Sequence, residues 1–131
     1  MNNLKPELER DLLKRFPEIF GVTESDPEDY LWGIDCGDGW WFLIYSLCRE
    51  LQVHVARAGV GQIVACQIKQ KMGILRCTFS ITDEYSQGVI AAVVAMSYGV
   101  CELCGSRGQL ARGKKGYIRV LCPSCRAANP D

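Results

Sequence analysis

The stretch 100-VCELCGSRGQLARGKKGYIRVLCPSC-125 decides how the C-terminal part of the chain folds. It holds four of the eight cysteines in two C-x2-C pairs, Cys101/Cys104 and Cys122/Cys125, separated by the seventeen residues Gly105 to Leu121. Two residues between thiols let a tight turn aim both sulfurs at one ion. The spacing between the pairs falls in the pattern of a tetrahedral four-thiolate zinc site. Gly105 supplies the backbone freedom that such a turn needs, whereas Arg126 follows the second pair where a glycine would be ideal. Between the pairs, GQLAR and YIRVLC are short strand candidates flanking GKKG, a glycine-bounded turn. A hairpin carried between two cysteine turns is the layout of a zinc ribbon.

The expected cofactor is one structural zinc ion held by Cys101, Cys104, Cys122 and Cys125. A rubredoxin-like iron site uses the same four thiolates and stays open on sequence grounds. With four ligands and no vacant position, such a centre holds structure and does no chemistry. Disulfides are not expected. The N-terminal MNNLKPELERDLLKRF mixes acids and bases without an apolar leader. The longest apolar runs, WWFLIY and VIAAVVAM, fall well short of the ~20 residues that span a bilayer. These features read as a cytoplasmic protein, in a compartment where structural disulfides are rare.

Working outward, the 131 residues suffice for one compact core but not for two independent domains. An α+β fold is expected, with an α+β body over 1–96 and a zinc-ribbon module over 97–131 packed on it without a flexible linker. Leu8, Leu12 and Phe16 repeat every four residues from Pro6, and Pro17 closes the pattern. The stretch 21–40 is rich in Gly, Asp and Pro and reads as loop, with Tyr30 and Trp32 as anchors. Asp38 stands where a helix N-cap belongs, ahead of a central, largely buried helix that Gly59 and Gly61 end. Trp40, Leu43, Ile44, Leu47 and Leu51 share one face of that helix, with Trp41 and Tyr45 on another. QIVACQIKQ and ILRCTFSIT then read as a hairpin or as one long bent strand. A helix entering at Asp83 follows, although its Val and Ile content leaves a strand possible.

Cys36, Cys48, Cys66 and Cys77 are isolated thiols in apolar contexts and read as small buried hydrophobes. A second metal site with His54, the one histidine, lacks the local spacing that ligation requires. Asp35 and Asp38 flank Cys36, but a nucleophile needs a positioned base. His54 lies six residues beyond Cys48 and points about 120° around the helix from it. No enzymatic activity is expected.

The segments CGDGWWFLIYSLC and KQKMGILR, followed by the closing pair of C-x-x-C motifs, resemble a family of small uncharacterised phage and prophage proteins. That family shares a GDGW segment, a K-x-K-F-G-x-L-R segment and C-terminal zinc-binding cysteines. The resemblance covers Pro17 to Cys125, and Met72 takes the place of the family's phenylalanine, at what reads as a core position. It implies phage origin, a zinc ribbon, and residence in the host cytosol among small proteins that act on host machinery.

Two partner classes follow. The formal net charge of zero suits a protein-binding module, and the acidic loop Glu24, Asp26, Glu28 and Asp29 beside Tyr30 and Trp32 offers an anchored surface for a host or defence-system protein. The alternative is nucleic acid. From Ser97 onward six bases (Arg107, Arg112, Lys114, Lys115, Arg119 and Arg126) face only Glu102 and Asp131, a net +4, while thirteen acids and nine bases before it give −4. A basic hairpin with Tyr117 beside it can contact phosphates and stack on a base.

Overall fold

The computed structural model describes residues 4–22 and 33–131 and gives an α+β chain. Among the described residues there are five α-helices and two antiparallel two-stranded sheets. Helix α1 (Pro6–Arg15) starts with proline in its first turn, carries Glu7 and Glu9 there and Lys14 and Arg15 in its last, and so complements its own dipole. Pro17 does more than stop it. The proline opens a second short helix, α2 (Pro17–Phe20), which buries Ile19 and Phe20 and ends at Gly21 in the left-handed region (φ 64°).

The entrance to the central helix differs from expectation. Asp38–Trp40 form a single 3-10 turn, and helix α3 (Trp41–Ala58) begins with Trp40 in the capping position and no side-chain cap. Asp38 instead accepts the backbone N–H of Lys5 at 2.9 Å and faces Lys5 Nζ at 3.6 Å. The carboxylate thus serves the residue that precedes α1, and not the helix that follows it. The Trp41 indole N–H donates to the Leu8 carbonyl at 3.0 Å, and Tyr45 stacks on Trp41 while meeting Phe16 edge-on. These contacts bind α1 to α3. Leu43, Ile44, Leu47, Cys48 and Leu51 are buried, whereas Phe42 is 66% exposed, so α3 keeps one side in water.

Strands β1 (Ala65–Lys71) and β2 (Ile74–Phe79) form a hairpin, which settles the choice between a hairpin and one long strand. Met72 (φ 54°) and Gly73 (φ 81°) both occupy the left-handed region, the pairing that matches a two-residue turn to strand twist. Met72 is 60% exposed and is not a core residue, because at the tip of the turn Gly73 lies against the second hairpin and leaves Met72 facing solvent. Asp35 extends the hairpin on one edge, donating its N–H to Ile68 and accepting that of Gln70.

Helix α4 (Glu84–Ser97) packs on α3 and β2 and starts at Asp83, whose carboxylate accepts the Ser86 N–H while Ser86 Oγ accepts the Asp83 N–H. Strands β3 (Gln109–Arg112) and β4 (Ile118–Leu121) form the second hairpin, and helix α5 (Pro123–Ala128) follows it. Val120 of β4 enters the main core with Trp40, Ile44, Leu47, Ile68 and Leu75. The ribbon is therefore packed into the body. Among the described residues, no helix is long and apolar enough to cross a membrane.

The Asp83 cap also carries a pH dependence. His54 Nε2 lies 2.7 Å from Asp83 Oδ2, and this bond, with those from Ser86, holds the carboxyl well below the usual carboxylate range. A pKa depressed by folding adds stability that is complete above the unfolded value near ~4 and is lost as pH falls towards the folded one. The difference in thermal midpoint between the native chain and Asp83→Asn is therefore expected to shrink as pH is lowered below about 4. Melting curves at neutral and acid pH check this, and an unchanged difference would contradict it.

Candidate metal centre

The two cysteine turns are built by backbone hydrogen bonds. Gly105 N–H donates to the Cys101 carbonyl at 2.9 Å and Cys101 N–H to the Ser106 carbonyl at 2.7 Å, a turn that needs Gly105 in the left-handed region (φ 83°). On the other side Cys122 caps α5, with Pro123 in its first turn, and its Sγ accepts the Cys125 N–H at 3.4 Å. The four sulfurs all lie within 4.8 Å of one another, and Cys104 Sγ is 3.6 Å from Cys122 Sγ. A tetrahedral ion with metal–sulfur distances of ~2.3 Å sets its sulfurs ~3.8 Å apart, so this donor set fits one four-coordinate ion.

Cys101 is fully buried and Cys122 nearly so, while Cys104 faces solvent. The backbone donor from Cys125, helped by Ser106, draws the Cys122 thiol down to about 6. Ser106, through its side chain and backbone, lowers Cys104. Sharing of the remaining protons, chiefly with Cys122, pushes Cys125 up to about 12. All eight cysteines are unbridged. The cluster can hold a structural metal ion.

The GDGW segment is what this centre rests on. Gly37 N–H donates to Glu102 Oε2 at 2.9 Å, Gly39 N–H to the Glu102 carbonyl at 2.7 Å, and the Trp40 indole N–H to the Val100 carbonyl at 2.8 Å. Glu102 in turn donates its N–H to Val120. A Cβ on Gly37 would fall 2.4 Å from the Glu102 carbonyl oxygen, and one on Gly39 would fall 2.1 Å from that of Cys101. Those two glycines let one backbone lie directly on another. The Glu102 side chain, 1% exposed, sits inside this contact, and burial raises its carboxyl pKa against the pull of Gly37 N–H and Arg119. Sequence reasoning counted Glu102 only as an acid among bases. Its one available signal was a lone carboxylate between two ligand cysteines.

The remaining candidates are scattered. Asp26, Glu28, Asp29, Tyr30 and Trp32, with Glu24, lie outside the described residues. Arg107, Arg112, Lys114, Lys115 and Tyr117 are exposed on the ribbon, but Arg119 turns inward, its Nε 3.6 Å from Glu102 Oε1. Arg112 donates to the Gly116 carbonyl and Lys115 faces Asp131 at 3.8 Å. Asp35 and Asp38 do not converge on Cys36, which is buried and whose thiol burial pushes far up. His54 is engaged by Asp83 and stacked on Tyr85.

Cys36 and Cys48 are core residues, and Cys77, partly buried, is pushed up to about 12 by burial. Cys66 departs from the expectation. A bulge between Ala65 and Gln67 breaks the alternation of β1 and leaves Cys66 exposed. Cys48→Ala is expected to cost on the order of 1 kcal/mol or more, and Cys66→Ala to stay within about 0.5 kcal/mol of the native chain. Bound metal should be unchanged in both. Denaturant unfolding with metal analysis checks this, and lost metal in either variant would contradict it.

No family model, curated protein or solved structure matches the chain.

Proposed function

We propose that this is a non-enzymatic phage accessory protein in which one zinc ion on Cys101, Cys104, Cys122 and Cys125 stabilises a surface that binds a protein of the host or of its defence system in the cytosol. The donor set supports the metal assignment. Four thiolates within 4.8 Å of one another would fill every position of a tetrahedral ion and leave none for a substrate, which is the chemistry of a structural zinc.

The observation that carries the protein-partner reading is helix α4. From Gln87 to Tyr98 it has no charged residue, yet Gly88, Ala92, Ala95 and Met96 are exposed along one face. Tyr85, 50% exposed, continues that face at one end. A contiguous uncharged surface of this kind is what a protein partner covers. The ribbon's charge points the same way. Four thiolates and Zn²⁺ together carry about −2, which halves the module's formal +4. Nucleic-acid affinity rests largely on counterion release by many free cations.

One observation favours the nucleic-acid alternative. All four residues of β3 are exposed, and Arg107, Lys114 and Tyr117 stand out from the same hairpin. Affinity capture from host cytosol, with and without nuclease, separates the two readings. The partner is expected to survive nuclease, and Ala92→Glu should weaken capture at least tenfold while Lys114→Ala/Lys115→Ala does not. Nuclease-sensitive capture would contradict this, as would direct DNA or RNA binding that falls about 10³-fold or more between about 50 and 200 mM salt.

A further inference from the structure

A cleft of about 690 Å³ opens between the two hairpins and the segment after α5. Asp35 and Gln70 line it from the body, and Glu102, Tyr117, Arg119 and Asn129 from the ribbon. Glu102 is shared between this cleft and the GDGW contact, where its Oε2 accepts the Gly37 N–H. Among the described residues Glu102 Oε1 accepts no hydrogen bond although the side chain is 1% exposed; its ion pair with Arg119 Nε, at 3.6 Å, is longer than a hydrogen bond. A buried carboxylate oxygen without a donor is costly unless something supplies one.

The other charges around the cleft narrow what that donor is. Arg126 is spent on the carbonyls of Gln109 and Arg119, and Asp131 faces Lys115. Asp35 is exposed, and its carboxylate makes no hydrogen bond or ion pair with a described residue. One acceptor therefore lies at the base of the cleft and a second, charged one at its rim. Tyr117, 64% exposed, and Met72, 60% exposed, offer an aromatic face and an apolar edge at the mouth. Met72 is held there in a left-handed turn conformation that a bulky residue adopts only at a cost (φ 54°).

We infer that this cleft receives an arginine side chain of the protein partner, its guanidinium donating to Glu102 Oε1 and reaching Asp35, its planar face against Tyr117. Arginine fits better than lysine because its rigid fork carries several donors that can serve two carboxylates at once, and because it stacks on an aromatic ring. The inference rests on the protein-partner reading and names the chemistry by which that partner is recognised. It does not involve the face of α4.

The test is an NMR titration of the full, zinc-loaded chain with a terminally blocked Gly-Arg-Gly peptide. Blocked Gly-Gln-Gly and guanosine monophosphate serve as parallel probes. The arginine peptide is expected to shift the amide signals of Asp35, Gln70, Glu102 and Tyr117 saturably, with the glutamine peptide at least tenfold weaker. Glu102→Gln keeps an acceptor for Gly37 and is expected to weaken the arginine peptide about tenfold at unchanged zinc content; Asp35→Asn, at an exposed position, should weaken it several-fold. Equal binding of the glutamine peptide, saturation by the nucleotide in place of the peptide, shifts outside the cleft, or no saturable binding would each overturn the inference. Nuclease-resistant capture that persists while the peptide fails removes this inference alone. Loss of that capture removes the reading beneath it.

Discussion

A chain carrying Cys101→Ser and Cys122→Ser together is expected to lose its zinc and to unfold the whole ribbon. Structural zinc sites of this type supply on the order of 10–16 kcal/mol of apparent binding energy, comparable to the ~5–15 kcal/mol that holds an entire domain folded. A few short elements cannot replace it: β3 is wholly exposed, and the ribbon's own small core is built on Cys101, Leu121 and Cys122. The damage should not stop there. Val120 leaves the main core when β4 unfolds, and Trp40 loses the Val100 carbonyl its indole binds. Metal analysis should read no bound zinc, and tryptophan fluorescence should show Trp40 reporting an opened core. Full zinc retention by the double variant would contradict the assignment.

The second large effect is expected at a position without a functional group. Gly39→Ala should destabilise the protein by roughly 3 kcal/mol or more, a magnitude reserved for backbone clashes and lost cores. The added methyl would sit 2.1 Å from the Cys101 carbonyl and 2.6 Å from Gly105 N, and both are backbone atoms of the metal knuckle that cannot swing aside. Gly88 in α4 makes the matched control. A Cβ there meets nothing within 4 Å, so Gly88→Ala is expected to stabilise by about 0.5–1 kcal/mol through the unfolded chain and helix propensity. Urea unfolding of the two variants reads the contrast. A Gly39→Ala chain that unfolds at the native midpoint would mean that the GDGW segment and the knuckle are not in contact.

The contrast shows which features are legible in one dimension. The two C-x2-C pairs, the glycine-bounded turn between them and the Asp83 cap are local signals. Each completes its hydrogen bonds within a few residues, or gathers its sulfurs into one cluster, and each has its structural counterpart. The GDGW segment is different. Asp38 looks like a helix cap because a cap is what its neighbours suggest, but the partners of Gly37, Gly39 and Trp40 are residues 100 and 102, sixty or more positions away. No spacing rule reaches across that gap. Met72 was misplaced for a related reason: an apolar residue between two strand-like runs looks like core until the turn is known to fall on it. In α4 the apolar composition was plain, but composition does not say which face a neighbour covers. Glu102 was hidden by its own ordinariness, one acid whose burial depends on how two distant segments meet.

The most direct test of the account is X-ray absorption at the metal edge of protein purified without added metal. The account predicts one zinc per chain with a single shell of four sulfur ligands at about 2.3 Å and no nitrogen or oxygen ligand. Iron in its place would contradict the zinc assignment, and a mixed shell with an open position, or zinc well below one per chain, would contradict a closed structural centre.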